Sequence, residues 1–144
     1  MRIYLDNCCF NRPFDDQSSV IIRLETEAKM QIQYLAKTSE IQLVWSFVLD
    51  FENKDNPFTE RREQIASWRD IAMVHVKYSP EISTKAMAYM HLGLRQKDAS
   101  HIACAVLARA DFFISTDKKI LNKPILDIIL INPIDFIQRY YDVY

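Results

Sequence analysis

The chain has 144 residues, of which 26% are charged and 49% hydrophobic, and its formal net charge is -1. A chain of this length can bury a single core, and the balanced charge excludes a globally basic nucleic-acid-binding surface. No apolar run approaches the roughly 20 residues of a membrane span and no secretory signal is recognisable, so we expect a cytoplasmic protein without a membrane partner. The single glycine, Gly93, excludes the glycine-rich phosphate loops of nucleotide-binding proteins.

The first third of the sequence predicts two strands, each followed by a helix. The apolar run over 2–6 indicates a strand covered on both faces and therefore central in a sheet. A polar loop, NRPFDDQ, precedes a helix capped by Ser18 or Ser19. The apolar positions of this helix repeat at three and four residues and predict one buried stripe of Ile21, Leu24, Ala28, Ile32 and Leu35. A second strand over 41–45 leads to Ser46, a candidate cap for the next helix.

The rest of the sequence marks its helix starts with proline, serine and aspartate. Asn-Pro at 56–57 and Ser-Pro at 79–80 predict two starts, and Asp98 predicts the cap of a helix rich in small apolar residues. Strands are predicted over 112–115 and 128–131, with a terminal helix after the second. This alternation predicts a single α/β domain over residues 1–144. We expect a three-layer αβα arrangement, in which helices cover both faces of a central, mostly parallel sheet of about four to five strands.

Four acidic residues are expected to meet at one edge of this sheet. Ligand sites of open parallel sheets lie beyond the carboxyl ends of the strands, where Asp6 and Asp117 follow strands and Asp98 begins a helix. Glu52 joins them if its helix turns that side chain inward. Each acid also has a structural alternative, as a helix cap or a solvated helix residue. Several carboxylates without matching buried cations repel one another, which predicts a divalent cation between them.

The order and context of these acids resemble the PIN-domain ribonucleases, which include the VapC-like toxins of toxin–antitoxin pairs. The resemblance extends over nearly the whole chain, through IYLDN, SFVLDFE, KDASHIACAVLARADFFISTD and IILINPIDFI. It implies that Asp6, Glu52, Asp98 and Asp117 are the catalytic, metal-binding quartet, with Ser46 in the position that precedes the family's glutamate. The two residues after Asp6 depart from the hydroxyl residue and asparagine that many members have there.

The implied cofactor is Mg²⁺ or Mn²⁺, because carboxylates are hard oxygen ligands, and the implied reaction is hydrolysis of RNA phosphodiester bonds. The resemblance also implies a homodimer and an antitoxin protein as a partner, and the terminal RYYDVY is a candidate interface segment. Arg12, Lys97 and Lys118 are the basic residues nearest the acids and the predicted phosphate contacts. The pair Asp15-Asp16 is open to two interpretations, as additional ligands or as charges favoured at a helix start.

Three further alternatives stay open. His101 is either a general acid or, in its commoner role, a packed or capping histidine. A phosphoryl-transfer protein of the receiver or phosphatase kind would use Asp6 as its nucleophile, although Cys8 stands where phosphatases usually carry a second aspartate. A non-catalytic PIN-like module that binds RNA or a protein would keep the fold without turnover.

Overall fold

The computed structural model describes residues 1–143, in which strands alternate with helices. The strands are β1 (Arg2–Leu5), β2 (Gln42–Ser46), β3 (Val74–Val76), β4 (Phe112–Ile114) and β5 (Ile129–Ile131). The helices are α1 (Asn7–Asn11), α2 (Val20–Lys37), α3 (Phe47–Lys54), α4 (Thr59–Ala66), α5 (Trp68–Ile71), α6 (Pro80–Met90), α7 (Gln96–Leu107), α8 (Lys118–Leu121) and α9 (Pro133–Val143). A 3₁₀-helix covers Arg12–Phe14. Tyr144, the end of the predicted aromatic segment, lies outside the described residues.

The five strands form one parallel sheet in the order β3-β2-β1-β4-β5. Tyr4 of β1 lies opposite Val44 of β2 on one side and opposite Phe113 of β4 on the other. β1 is therefore central, and the complete burial of Ile3, Tyr4 and Leu5 explains why these three residues do not alternate with polar ones. The predicted central parallel sheet is confirmed, and its edge strand β3 is an element that the sequence analysis missed.

Helices cover both faces of the sheet. Phe112 of β4 packs against Phe136 of α9, whereas the next residue, Phe113, stacks on Tyr4, whose ring contacts His101 of α7. Because successive side chains of a strand point to opposite faces, α9 and α7 lie on opposite sides of the sheet. α2 packs on α9, and α6 packs on α7. The predicted three-layer αβα arrangement is thereby confirmed. Within residues 1–143, every helix is too short or too polar to cross a bilayer.

The start of the chain differs from the prediction in where β1 ends. The strand stops at Leu5, because Asp6 has left the strand to cap α1, where its Oδ1 accepts the N–H of Asn7 at 2.8 Å. The predicted polar loop also contains the 3₁₀-helix. Ser19 caps α2 as predicted, since its Oγ accepts a backbone N–H three residues on.

The predicted apolar stripe of α2 is buried only in part. Ala28, Ile32 and Leu35 are buried, but Ile21 and Leu24 are 58% and 43% exposed. At that end of α2 the inner positions are occupied by buried polar residues that bind the preceding turn. Glu25 accepts a hydrogen bond from Arg12 Nε at 3.0 Å, and the Thr26 hydroxyl donates to the Arg12 carbonyl. The first turns of α2 therefore anchor a polar loop rather than the core.

Two other predicted helix starts have different outcomes. α4 begins at Thr59 rather than Pro57, because the Asn56 side-chain oxygen accepts the N–H of Phe58 and forms a turn before the helix. The same segment then divides at 67 into α4 and α5 instead of forming one helix. The Ser-Pro pair at 79–80 does begin α6.

Candidate active site

Asp6 and Asp117 lie just beyond the carboxyl ends of the neighbouring strands β1 and β4. Asp6 is buried, and its Oδ2 accepts the Ser115 hydroxyl at 2.8 Å and, more weakly, the Cys8 thiol at 3.4 Å. The backbone N–H of Asp117 donates to the same Ser115 Oγ at 3.1 Å. Asp117 Oδ1 accepts the N–H of Lys119 and caps α8. The Ser115 hydroxyl therefore links the two predicted acids.

Asp98 lies beside these acids, but it is not the helix cap that the sequence predicts. α7 begins two residues earlier with Arg95 at the cap position, so Asp98 belongs to the first turn, where the helix dipole stabilises a carboxylate. Asp98 and Asp117 line one cavity of about 390 Å³. Burial and then the charge of Asp6 raise the pKa of Asp98, and Asp117 raises it further, whereas Arg95 and His101 lower it. The three aspartates therefore repel one another.

Glu52 reaches this edge of the sheet from α3. Its Oε1 accepts a hydrogen bond from His101 Nε2 at 2.6 Å, and its Oε2 accepts one from the Asn7 amide at 2.9 Å. The same His101 nitrogen lies 4.0 Å from Asp6 Oδ1, so Glu52 and Asp6 adjoin one ring. Burial alone would raise the pKa of Glu52, but the hydrogen bond and charge of His101, the bond from Asn7 and the charge of Lys97 lower it on balance. Glu52 is thus held as a carboxylate.

A buried chain of hydrogen bonds fixes His101. Tyr4 Oη lies 2.6 Å from both His101 Nδ1 and Ser46 Oγ, and Ser46 Oγ accepts the Leu49 N–H as the predicted cap of α3. The Glu52 carboxylate only accepts, so His101 Nε2 carries a proton. When the ring carries its proton on Nε2 alone, Nδ1 accepts the Tyr4 hydroxyl, which in turn accepts from Ser46. In this arrangement each hydrogen-bond donor, from Ser46 through Tyr4 to His101, points toward Glu52.

Ser46 and His101 are among the residues that the sequence singles out, whereas Tyr4 and the Asn7 amide are parts of this arrangement that it does not predict. The available signal was the phenol of Tyr4, which is the one polar side-chain group among the three completely buried residues of the central strand and must find a buried partner. Asn7 offered no comparable signal, because an asparagine after a strand usually indicates only a turn.

Arg12 is engaged by acids of its own region. Its guanidinium lies 2.9 Å from Glu25 and 3.0 Å from Asp15. Asp16 accepts a backbone N–H two residues on. The Asp15-Asp16 pair therefore organises the loop before α2, with contacts to Arg12 and the local backbone.

Lys97 and Lys118 are both exposed and adjoin predicted acids in different ways. Lys97 lies in the first turn of α7, and its charge helps to lower the pKa of Glu52. Lys118 is the first residue of α8 and directly follows Asp117. These two side chains leave their ammonium groups accessible to an anion.

The four acids offer only oxygen donors, which are the ligands that Mg²⁺ and Mn²⁺ prefer. Within residues 1–143, no group of three or more Asp, Glu, His or Cys side chains is already arranged to hold a metal ion. Asn7 Oδ1, beside Glu52, is buried without a hydrogen-bond partner and is a further candidate oxygen ligand for a cation. The chemistry of the donor set therefore fits a hard divalent cation.

No protein-family model matches the chain, and no curated protein matches it in sequence. Its fold is similar to a chain in the crystal structure of VapBC2 from Rickettsia felis bound to a DNA fragment from their promoter. The two chains are 12% identical, with a TM-score of 0.57 over 92% of this chain and 98% of that chain. At this identity the similarity shows the fold alone. The chain has a three-layer αβα, PIN-like fold.

Proposed function

We propose that the chain is a divalent-metal-dependent endoribonuclease that hydrolyses RNA phosphodiester bonds. The observation that carries this proposal is the convergence of Asp6, Asp98 and Asp117 at one edge of the sheet, where Asp98 and Asp117 share a cavity and the charges of Asp6 and Asp117 raise the pKa of Asp98. Like charges held together in this way favour a cation. The PIN-like fold supports the same conclusion by analogy.

On this proposal Asp6, Glu52, Asp98 and Asp117 would hold Mg²⁺ or Mn²⁺. The bound cation would supply Lewis-acid activation of a water and stabilisation of the leaving oxygen. The four acidic side chains would have to rotate to close around the cation, and the buried, unpaired Oδ1 of Asn7 offers one more oxygen ligand.

The other residues of the site would position these acids and the substrate. Ser115 orients Asp6, and His101, itself fixed by Tyr4, orients Glu52. The exposed ammonium groups of the predicted contacts would approach substrate phosphates, with Lys97 and Lys118 better exposed than the ion-paired Arg12.

The similarity to a chain of a VapBC2 structure supports a further part of the proposal, that this chain pairs with an antitoxin protein. We propose a homodimer as well. Light scattering at micromolar concentration tests the second point, and a monomeric mass would contradict it.

The direct test of the activity is incubation of the protein with a mixed pool of structured and unstructured RNAs and Mn²⁺, followed by sequencing of new ends. We expect internal cuts that disappear with EDTA and are strongly reduced in Glu52→Gln, while Glu27→Gln, an exposed change on α2, cleaves like wild type. Cleavage that EDTA leaves untouched, or hydrolysis confined to phosphomonoesters, would reject the proposal.

A further inference from the structure

A second cavity, of about 310 Å³, adjoins the acid cluster on the side of α4. Its wall includes Glu52 and Asn7, which also belong to the candidate active site. The remaining lining residues are Asn11, Asp55, Asn56, Pro57, Phe58 and Arg61. A group bound in this cavity would therefore lie next to the carboxylates of the proposed reaction.

Arg61, at the wall of this cavity, is held against two aromatic rings, of which that of Phe58 also lines the cavity. Its guanidinium carbon lies 4.0 Å from the centroid of the Phe58 ring and 4.9 Å from that of Phe14. Phe58 is 53% exposed. Among the described residues, the Arg61 side chain contacts only these two rings, so its guanidinium N–H groups have no acceptor in the described part of the protein. A flat cationic surface with unused donors thus faces the cavity.

The polar lining suits the edge of a nucleobase better than a phosphate. The amides of Asn7, Asn11 and Asn56 already bond to Glu52, the Asn7 carbonyl and the Phe58 N–H, but each NH₂ group has a second N–H and each amide oxygen a second lone pair. Asn56 also donates to Asn11 Oδ1 at 3.3 Å, which holds these two amides side by side. The carboxylates of Glu52 and Asp55 in the same wall disfavour a phosphate.

We propose that this cavity is a nucleobase subsite, which takes one unpaired base of a single-stranded RNA next to the scissile phosphodiester. This inference rests on the proposed ribonuclease function. The base stacks on the surface formed by Phe58 and Arg61, and its edge bonds to the asparagine amides. The Asp55 carboxylate only accepts hydrogen bonds, and uracil offers it a single N3–H between two carbonyl oxygens that a carboxylate repels. A base with an exocyclic amino group is therefore preferred to uracil.

The first experiment measures binding without turnover. Fluorescently labelled pentaribonucleotides, each of one base type, are titrated with protein in EDTA, and the anisotropy gives Kd. Phe58→Ala and Arg61→Ala should each weaken binding at least about fivefold, the lower limit for loss of one base–aromatic stack. Arg139→Ala is the matched control, because Arg139 also lies over a ring, that of Phe112, but on α9. It should bind like wild type.

The second experiment measures base preference during cleavage of a randomised single-stranded pool with Mn²⁺. Wild type should discriminate against uridine at one position beside the cut, and Asp55→Asn should reduce that discrimination. Binding that is equal in Arg61→Ala and Arg139→Ala would overturn the subsite, whatever the cleavage result. Conversely, Arg61-dependent binding without any Mn²⁺-dependent cleavage would support the subsite and reject the proposed nuclease.

Discussion

Replacing Tyr4 by phenylalanine removes one oxygen atom from the buried chain that orients Glu52. The phenol makes two hydrogen bonds of 2.6 Å, to Ser46 and to His101, and Tyr4 and His101 are completely buried. Loss of the neutral bond to Ser46 costs about 1 kcal/mol net, and the loss of the bond to His101, which leaves the buried Nδ1 without a partner, costs about 1–3 kcal/mol. We therefore expect Tyr4→Phe to lower the free energy of unfolding by about 2–4 kcal/mol.

Urea unfolding followed by far-UV circular dichroism measures this loss as a lower midpoint with an unchanged m value. Tyr34→Phe is the control, since Tyr34 is 59% exposed and its change should stay within about 0.5 kcal/mol. Nitrogen-15 NMR of wild type should show the proton of His101 on Nε2, bound to Glu52. Equal stability of the two variants, or a ring protonated only on Nδ1, would contradict a hydrogen-bond chain that runs from Ser46 through Tyr4 and His101 to Glu52.

Three other changes test separate features. Lys29 is 7% exposed, and burial lowers its pKa from 10.5 to about 8. Between pH 8 and 10.5 the unfolded chain therefore binds more protons than the folded chain, so the stability of wild type should rise with pH in this range. Lys29→Met should remove that rise and increase Tm at pH 7. The pKa of Asp98 is raised in the folded protein, so its ionised carboxylate opposes folding, and wild type should become more stable on mild acidification. Asp98→Asn should increase stability to urea at pH 7 in EDTA and should abolish this increase in stability on acidification. Gly93 has a φ of 98°, a backbone conformation that strains any residue with a Cβ, so Gly93→Ala should cost about 1 kcal/mol or more in urea unfolding, although the nearby Lys123 Nζ, 2.8 Å from the added Cβ, can move aside.

The sequence predicts the sheet and most helix starts because those features depend on local composition. The apolar run of β1, the serine cap of α3 and the Ser-Pro start of α6 each contain their own physical signal. β3 gave none that was recognised, since its three residues are partly exposed at the sheet edge. Ile21 and Leu24 were assigned to the core by periodicity alone, and their exposure follows from long-range bonds between α2 and Arg12 that no local pattern reveals.

The candidate site was predictable to the level of which acids approach one another. Parallel strands bring Asp6 and Asp117 to one edge whatever the details of the loops. The partners of Glu52 were not predictable, because the hydrogen bond to His101 joins residues 49 positions apart and depends on how α3 and α7 pack. The cap assigned to Asp98 was wrong by one helical turn, which altered its hydrogen-bonding role but kept it near Asp117.

The most direct test of a metal site at the acid cluster is Mn²⁺ binding by the isolated protein, measured by isothermal titration and by electron paramagnetic resonance of the free ion. Wild type should bind Mn²⁺, and Asp6→Asn should bind it at least about tenfold more weakly, which corresponds to a loss of about 1.4 kcal/mol. Asp70→Asn, an exposed change on α5, is the control and should bind Mn²⁺ like wild type. Wild-type protein that does not bind Mn²⁺, or Asp6→Asn that binds it unchanged, would contradict a metal site at the converging carboxylates.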